Sequence, residues 1–205
     1  QDAVLVPVAI KEEWVKRLQG VTIDNAKITL YQNEEKQGSN TGRVLFTHFG
    51  LSGPTILNMS RDISELLKYG DVKISLDVLP DLDYGMLNEK LQNIFKENSN
   101  KKFKNALTEI FKPSFAEAIS TLSGIDGDTW CHSITREQRL SLIKLLKNIP
   151  MDVQGLLGVE KAIVTSGGVD LNEVDFKTMK SKIYNNLFFF FFFLNIDRPS
   201  GGYSL

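Results

Sequence analysis

The spacing of apolar residues in this 205-residue chain changes at Pro80, and this change constrains the fold more than any other feature. Before Pro80, apolar side chains alternate with other residues, which is the period of a half-buried strand. Residues 26–31 and 72–78 show this alternation most clearly. After Pro80, apolar residues recur every three or four positions from Leu87 to Leu146, which is helical spacing. We therefore predict an α+β fold, a small sheet or barrel joined to a compact helical subdomain.

Two segments interrupt the predicted strands. After Pro54 the apolar residues take helical spacing up to Gly70, so one helix is predicted within the strand region. Residues 33–42 are polar and contain glycine, which favours an exposed hairpin loop.

Capping signals divide the helical part of the chain. Ser114 and Thr135 are each followed three residues later by Glu or Gln, the spacing of a capping box. Gly124 and Pro150 are predicted to stop helices. The basic run at residues 101–104 is interpreted as a solvated helix face with one buried phenylalanine.

Composition and charge exclude several classes of protein. The chain is 42% hydrophobic and 24% charged, which is typical of a soluble globular protein, and its formal net charge of −1 gives no reason to expect nucleic acid or an anionic membrane as a partner. Cys131 is the single cysteine, so an internal disulfide is excluded and a reducing cytoplasm is predicted. The first residues contain no signal peptide, and we expect the sequence to start inside a longer protein.

Two pairs of glycines near the C-terminal end are candidates for a ligand site. The first pair, Gly167 and Gly168, follows the short strand-like segment 162–166 (Ala-Ile-Val-Thr-Ser), and the second pair, Gly201 and Gly202, precedes Tyr203. Because glycine has no Cβ and accepts positive φ, such pairs let a backbone approach a planar ligand or its phosphates. The competing interpretation is a strand that ends in a tight turn.

A second candidate lies at residues 47–54, Thr-His-Phe-Gly-Leu-Ser-Gly-Pro. Ser52 is predicted to cap the following helix, and Pro54 suits its first turn. Free amides there can hold an anion or a carbonyl oxygen, and His48 can then transfer a proton near neutral pH. The alternative is a capped strand-to-helix turn with a structurally bonded histidine.

No metal site is predicted. Cys131 and His132 are neighbours, but the other histidine, His48, is far away in sequence, so no zinc-binding spacing exists. Residues 126–128 read Asp-Gly-Asp, yet they lack the ligand spacing and the closing glutamate of an EF-hand.

Several short sequence motifs, taken together, indicate a resemblance to a known protein family. They are residues 5–8 (Leu-Val-Pro-Val), 14–20 (Trp-Val-Lys through Leu-Gln-Gly), 44–54, 164–169 (Val-Thr-Ser-Gly-Gly-Val), 178–182 (Thr-Met-Lys-Ser-Lys) and 201–203 (Gly-Gly-Tyr). With them the chain resembles the BaiN-like (YhiN-like) family of FAD-dependent oxidoreductases, which includes proteins called aminoacetone oxidases. The resemblance runs through nearly the whole chain.

The resemblance implies a split architecture. The family's FAD-binding α/β domain is interrupted by an insert, a translation-factor-like β-barrel with a helical bundle. Here the barrel would comprise residues 1–80 and 151–164, the helical subdomain residues 81–150, and a partial C-terminal FAD-binding segment residues 165–205. The chain lacks the Gly-x-Gly-x-x-Gly element that holds the FAD pyrophosphate, so the resemblance places that half in a missing N-terminal segment of the same protein.

The resemblance also implies residue roles and partners. Thr165, Gly167, Gly168, Gly201, Gly202 and Tyr203 would contact FAD. The loop residues Thr47, Gly50, Ser52 and Gly53 would face substrate or flavin, with His48 as the catalytic candidate. The expected partners are a small-molecule substrate and NAD(P)H.

The phenylalanine run at residues 188–193 departs from the family pattern. The family has small residues and a glutamate at positions 190–192, where the backbone comes close to the cofactor. Three interpretations remain: a divergent member without flavin, a re-packed pocket, or an error in the recorded sequence. Arg198 and Ser204 also replace the family's usual residues.

Two function hypotheses follow. In the first, the chain is part of an FAD-dependent oxidoreductase whose insert forms a lid on the substrate side of the flavin. In the second, barrel and bundle form a non-catalytic module that binds a protein or RNA, a reading that the neutral charge disfavours.

Overall fold

A computed structural model describes residues 2–157, 164–166 and 168–189. The strands are β1 (Asp2–Val4), β2 (Val8–Ile10), β3 (Thr22–Gln32), β4 (Glu35–Phe46), β5 (Gly50–Ser52), β6 (Lys73–Asp77), β7 (Ile149–Leu156), β8 (Val164–Ser166), β9 (Val174–Asp175) and β10 (Lys180–Ser181). The helices are α1 (Glu13–Arg17), α2 (Pro54–Leu67), α3 (Tyr84–Glu97), α4 (Phe103–Ala106), α5 (Pro113–Leu122) and α6 (Arg136–Lys147).

Six strands close into a barrel in the order β2-β5-β4-β3-β6-β7, with every neighbouring pair antiparallel. The alternation that predicted strands places one set of side chains inside, as in β6, where Ile74 and Leu76 are buried and Lys73 is exposed. Helices α3 to α6 lie between β6 and β7 in sequence. The predicted α+β class, with a small barrel and a set of helices, is therefore confirmed.

The predicted loop at residues 33–42 is wrong, because most of it belongs to β4. The hairpin between β3 and β4 has only two turn residues, Asn33 and Glu34, with φ of 51° and 65°. Positive φ at both positions is the backbone of a tight turn that matches the twist of the flanking strands. The first half of β4 is polar because its side chains are exposed to solvent. Its polarity led to the incorrect prediction of a loop.

The helix boundaries test the capping predictions. Thr135 and Gln138 form the predicted capping box, each side chain bonded to the other residue's backbone N–H. Gly124 follows α5 with φ of 69°, as expected of a helix stop. Ser114 does not cap α5, because that helix begins with a proline after Lys112 and makes no side-chain cap. Proline supplies the start signal there, since its missing N–H needs no partner.

Barrel and helical subdomain share one continuous core. Phe46 of β4 contacts Phe115 of α5, with 5.7 Å between the ring centroids, and it also contacts Trp14 of α1 at 6.2 Å. At the opposite junction, the Lys147 ammonium at the end of α6 binds the Asp77 carboxylate at 2.6 Å. These contacts fix the helical subdomain against the barrel.

Two short ribbons lie outside the barrel. β1 and β8 pair antiparallel, with Asp2 opposite Ser166 and Val4 opposite Val164. The strand that precedes β2 and the strand that follows β7 in sequence therefore lie side by side. The second ribbon joins β9 to β10, and Phe188 pairs antiparallel with Lys180 beside it. Across the described ranges, no helix combines the length and apolar character needed to cross a membrane.

Candidate functional site

The candidate His48 lies at the tip of a tight hairpin at one end of the barrel. Thr47 and Gly50 close this hairpin between β4 and β5: the Thr47 N–H donates to the Gly50 carbonyl at 2.8 Å, and the Gly50 N–H donates back at 3.3 Å. His48 is exposed at the tip, and its ring meets that of Phe49 edge-on, with 4.8 Å between the centroids. The imidazole can therefore reach a ligand outside the barrel, while the hairpin fixes its backbone.

Gly50 and Gly53 are required by the packing of the barrel itself. A Cβ on Gly50 would collide with the Val8 carbonyl oxygen and lie 2.7 Å from the Ile10 nitrogen of the neighbouring strand. Gly53 has φ of 94°, and a Cβ there would lie 3.0 Å from the Arg43 carbonyl oxygen. The protein's own backbone fills the space that these glycines leave, so the packing of the barrel accounts for both of them, and their roles toward substrate or flavin stay predictions.

Ser52 does not cap helix α2, contrary to the prediction. Ser52 is the last residue of β5, Gly53 occupies the N-cap position, and no side chain caps the helix. Pro54 stands in the first turn as predicted. The extended strand carries the chain one residue further than the spacing indicated, and glycine accepts the positive φ that the strand-to-helix corner needs.

The predicted cofactor residues are only partly described. Thr165 lies in β8 opposite Ala3 of β1, and Gly168 is exposed just beyond that strand. Gly167, Gly201, Gly202 and Tyr203 lie outside the described residues. Only two of the six candidate residues are therefore described, and the roles of all six toward FAD stay predictions.

The phenylalanine run is also only partly described. Phe188 is 53% exposed and pairs antiparallel with Lys180, and the Phe189 N–H donates to the Met179 carbonyl at 2.8 Å. The start of the run therefore lies at the surface of the β9–β10 ribbon. Residues 190–193 lie outside the described part of the chain.

Cys131 and His132 point in opposite directions. Cys131 is buried, and burial raises the pKa of its thiol, which makes it an unreactive core residue. His132 is exposed, and its Nδ1 lies 2.8 Å from the Ser99 carbonyl oxygen. Within residues 2–157, 164–166 and 168–189, no three His, Cys, Asp or Glu side chains are grouped as metal ligands.

An arrangement that the sequence reading missed lies beside His132. Lys102 pairs antiparallel with Trp130, so a basic segment and an aromatic segment lie next to each other. Lys102 and Lys104 both bind the Asp128 carboxylate, at 2.8 and 3.0 Å. The hydrogen bond from Lys102, followed by that from Lys104, lowers the pKa of Asp128. No local signal could reveal this pairing, because the two segments are separated by a helix and its flanking loops.

Comparison with known proteins gives the chain a family context. The family model described as "HI0933-like protein barrel and H2TH domain" matches residues 2–164. The chain is 25% identical over 202 residues to a Clostridium scindens protein named 3-dehydro-bile acid delta(4,6)-reductase, an alignment that covers 98% of the chain and 49% of the relative.

Two further relatives share a different name, ribosomal RNA dihydrouridine synthase. The chain is 30% identical over 161 residues to the Escherichia coli protein, covering 78% of the chain and 38% of that relative. It is 26% identical over 162 residues to the Haemophilus influenzae protein, covering 79% and 38%. The chain thus spans half or less of the length of these curated relatives.

Proposed function

This chain belongs to the HI0933-like family, whose barrel and H2TH domain it contains, and we propose on that premise that it is part of an FAD-dependent reductase. This match confirms the family resemblance that the short sequence motifs indicated. The proposal draws on a reductase among the relatives and on the family's match to nearly all of the barrel and its helices.

The observation that carries the proposal is the pairing of β1 with β8. A domain inserted into another domain must have its entry and exit close together, since both join the same host. Val4 opposite Val164 puts the strands that precede and follow the barrel side by side. The host is the proposed FAD-binding domain, to which residues 165–205 contribute the C-terminal segment and a missing N-terminal segment of the same protein contributes the phosphate-binding half.

The names of the relatives suggest a reaction class, the saturation of a carbon–carbon double bond near a carbonyl group. A delta(4,6)-reductase acts on such bonds, and dihydrouridine is uridine with two added hydrogens. NAD(P)H gives up a hydride and becomes NAD(P)⁺, one alkene carbon takes that hydride, and the other takes a proton. Bound FAD carries electron pairs of this kind.

His48 is the proposed source of the proton. It is the exposed ionisable side chain at the tip of the Thr47–Gly50 hairpin, and an imidazole exchanges a proton near neutral pH. In this proposal the barrel end forms a lid over the substrate side of the flavin, and Thr47 and Gly50 hold the hairpin that presents His48. Rigid placement of the acid makes proton transfer efficient.

The test is NADPH-dependent reduction of 2-cyclohexen-1-one by the full-length protein. Replacing a general acid lowers rates by roughly 100-fold or more, so we expect His48→Gln to do so. Gln37→Ala, at an exposed position of β4 far from the hairpin tip, is the control and keeps the wild-type rate. A His48→Gln protein as fast as wild type would remove His48 from the mechanism.

RNA is a second candidate substrate, in place of a small molecule. Its support is the name of the two dihydrouridine synthases, together with the exposed lysines and aromatic rings around Trp130. The near-neutral net charge disfavours nucleic acid, so RNA stands behind the small molecule as a candidate. Saturation of uridines in ribosomal RNA, detected by mass spectrometry of nucleosides, would support RNA, and reduction of the enone alone would support the small molecule.

A further inference from the structure

We propose that Phe49 is the residue that positions the His48 imidazole for proton donation. Phe49 directly follows His48 at the tip of the hairpin between β4 and β5. Its role rests on the proposed function, in which His48 supplies the proton. The contact between the two rings can be measured without the reductase reaction, so this role and the proposed function can fail separately.

The backbone of Phe49 is tied to the barrel. The Ile10 N–H donates to the Phe49 carbonyl at 3.1 Å, and Ile10 is fully buried in β2. The Thr47 hydroxyl adds two bonds across the hairpin: it donates to the Gly50 carbonyl at 3.1 Å and accepts from the Gly50 N–H at 3.2 Å. Phe49 is half-buried, whereas His48 is exposed. The Phe49 ring therefore gives the exposed imidazole a fixed surface.

The two rings meet in a preferred geometry. Their centroids are 4.8 Å apart and their planes are 75° from each other. Aromatic pairs favour such edge-on contacts, because the positive edge of one ring meets the negative face of the other. Among the residues that the structure describes, His48 makes this ring contact and no side-chain hydrogen bond. The orientation of the imidazole therefore depends on Phe49.

An apolar partner suits a residue that must release a proton. The other histidine, His132, is oriented by a polar group, since its Nδ1 lies 2.8 Å from the Ser99 carbonyl oxygen. Such a bond occupies one ring nitrogen. The Phe49 ring orients the imidazole of His48 without using either nitrogen, so the imidazole can give a proton to the substrate and recover one from water. Removing the Phe49 ring should leave this acid chemically intact but free to rotate.

The first experiment compares Phe49→Leu with the wild type in NADPH-dependent reduction of 2-cyclohexen-1-one by the full-length protein. Edge-on ring pairs favour one arrangement by roughly 2- to 13-fold, so kcat/KM for the enone should fall by about that factor. The kcat/KM for NADPH should stay at the wild-type value, because His48 takes part only in the step that saturates the enone. Phe49→Tyr keeps the ring and should keep the wild-type value for both substrates.

Phe111→Leu is the matched control. Phe111 is likewise half-buried, and it meets Phe115 edge-on in the helical subdomain, with 5.2 Å between the centroids and 66° between the planes. This variant tests whether the loss of any edge-on phenylalanine slows the enzyme, and it should keep the wild-type kcat/KM for both substrates. Urea midpoints of all variants separate a slower enzyme from a partly unfolded one.

A double variant tests whether Phe49 acts through His48. Adding Phe49→Leu to His48→Gln should slow the reaction no further, because the effects of residues that act as a unit are not additive. If Phe49 had a merely structural role, its loss would slow the His48→Gln protein as much as the wild type.

The ring contact itself is tested by NMR of the full-length protein, isotope-labelled at Cε1 of histidine. The His48 signal is the one that is lost in His48→Gln. A nuclear Overhauser contact between the imidazole and the Phe49 ring is expected in the wild type, and in Phe49→Leu this contact should vanish and the His48 signal should shift.

The outcomes distinguish the two proposals. If His48→Gln is slow, three results would overturn the role of Phe49 alone: no ring contact in the wild type, an unchanged kcat/KM for the enone in Phe49→Leu, or an equal loss in Phe111→Leu. An unchanged rate in His48→Gln would overturn the role of His48 in the proposed function and, with it, the role of Phe49.

Discussion

Lys147→Met should be the most destabilising change at the junction between the barrel and the helical subdomain. The Lys147 ammonium binds the Asp77 carboxylate at 2.6 Å and the carbonyl oxygens of Leu79 and Leu82 at 3.0 and 2.7 Å. Its side chain is 11% exposed and that of Asp77 is 13% exposed. Methionine keeps the length of the side chain but leaves a nearly buried carboxylate without its ammonium partner and removes the lysine donor from both carbonyls, of which that of Leu79 keeps the Leu82 N–H.

Removing one partner of a buried ion pair costs about 3–5 kcal/mol. We take the lower end, about 3 kcal/mol, because Asp77 keeps a 3.0 Å hydrogen bond from the Leu79 N–H and some contact with water. For a chain of this size, 1 kcal/mol lowers Tm by about 2–4 °C, so a drop of about 6–12 °C is expected. Urea unfolding followed by circular dichroism gives the free energy directly.

Two matched variants make the result interpretable. Lys144→Met is the same substitution at an exposed position one turn earlier in α6, and it should change stability by at most about 0.5 kcal/mol. Adding Asp77→Asn to Lys147→Met removes the unpaired, nearly buried carboxylate charge and should recover part of the lost unfolding free energy. If Lys147→Met is as stable as Lys144→Met, the buried pair does not hold the two parts together and the reasoning is refuted.

Three further changes have defined outcomes. Gly50→Ala should lower the unfolding free energy by about 2 kcal/mol or more, because the new Cβ would meet backbone atoms at a position of positive φ. Gly38→Ala is the control, since its Cβ would meet open space. Equal urea midpoints for the two variants would contradict this. Thr135→Ala should cost about 1 kcal/mol through loss of the capping box and Ser114→Ala much less, measured the same way. Hydrogen bonds from Lys102 and then Lys104 lower the pKa of Asp128. The contribution of this carboxylate to folding stability is therefore present above the unfolded-state pKa and is lost as pH falls through the folded-state pKa. An NMR titration of the Asp128 carboxyl carbon that gives an ordinary midpoint would refute this.

The sequence predicted the elements whose signals are local. Alternating apolar residues located β6, and Thr135 with Gln138 located the start of α6, because these signals act within one turn or one strand. The first half of β4 was missed for the same reason: its polar side chains face water, and only pairing with β3 identifies it as a strand.

The candidate sites were harder to predict, because the role of each residue depends on contacts between segments that are distant in sequence. Gly50 was singled out for a ligand, yet it is needed for close approach to β2, which no local pattern reveals. The neighbourhood of Lys102 and Trp130 likewise arises from packing of segments far apart in sequence. His48 was placed correctly in a connection, but only the hairpin geometry shows that its ring is exposed.

The most direct measurement of the central proposal is the visible absorption spectrum of the purified full-length protein, with and without added FAD. Bands near about 375 and 450 nm that stay with the protein through gel filtration are expected of bound oxidised flavin. The same spectrum of residues 1–205 alone should lack these bands, since the phosphate-binding half is proposed to lie outside this chain. A colourless full-length protein that leaves added FAD free would contradict the assignment of this chain to an FAD-dependent reductase.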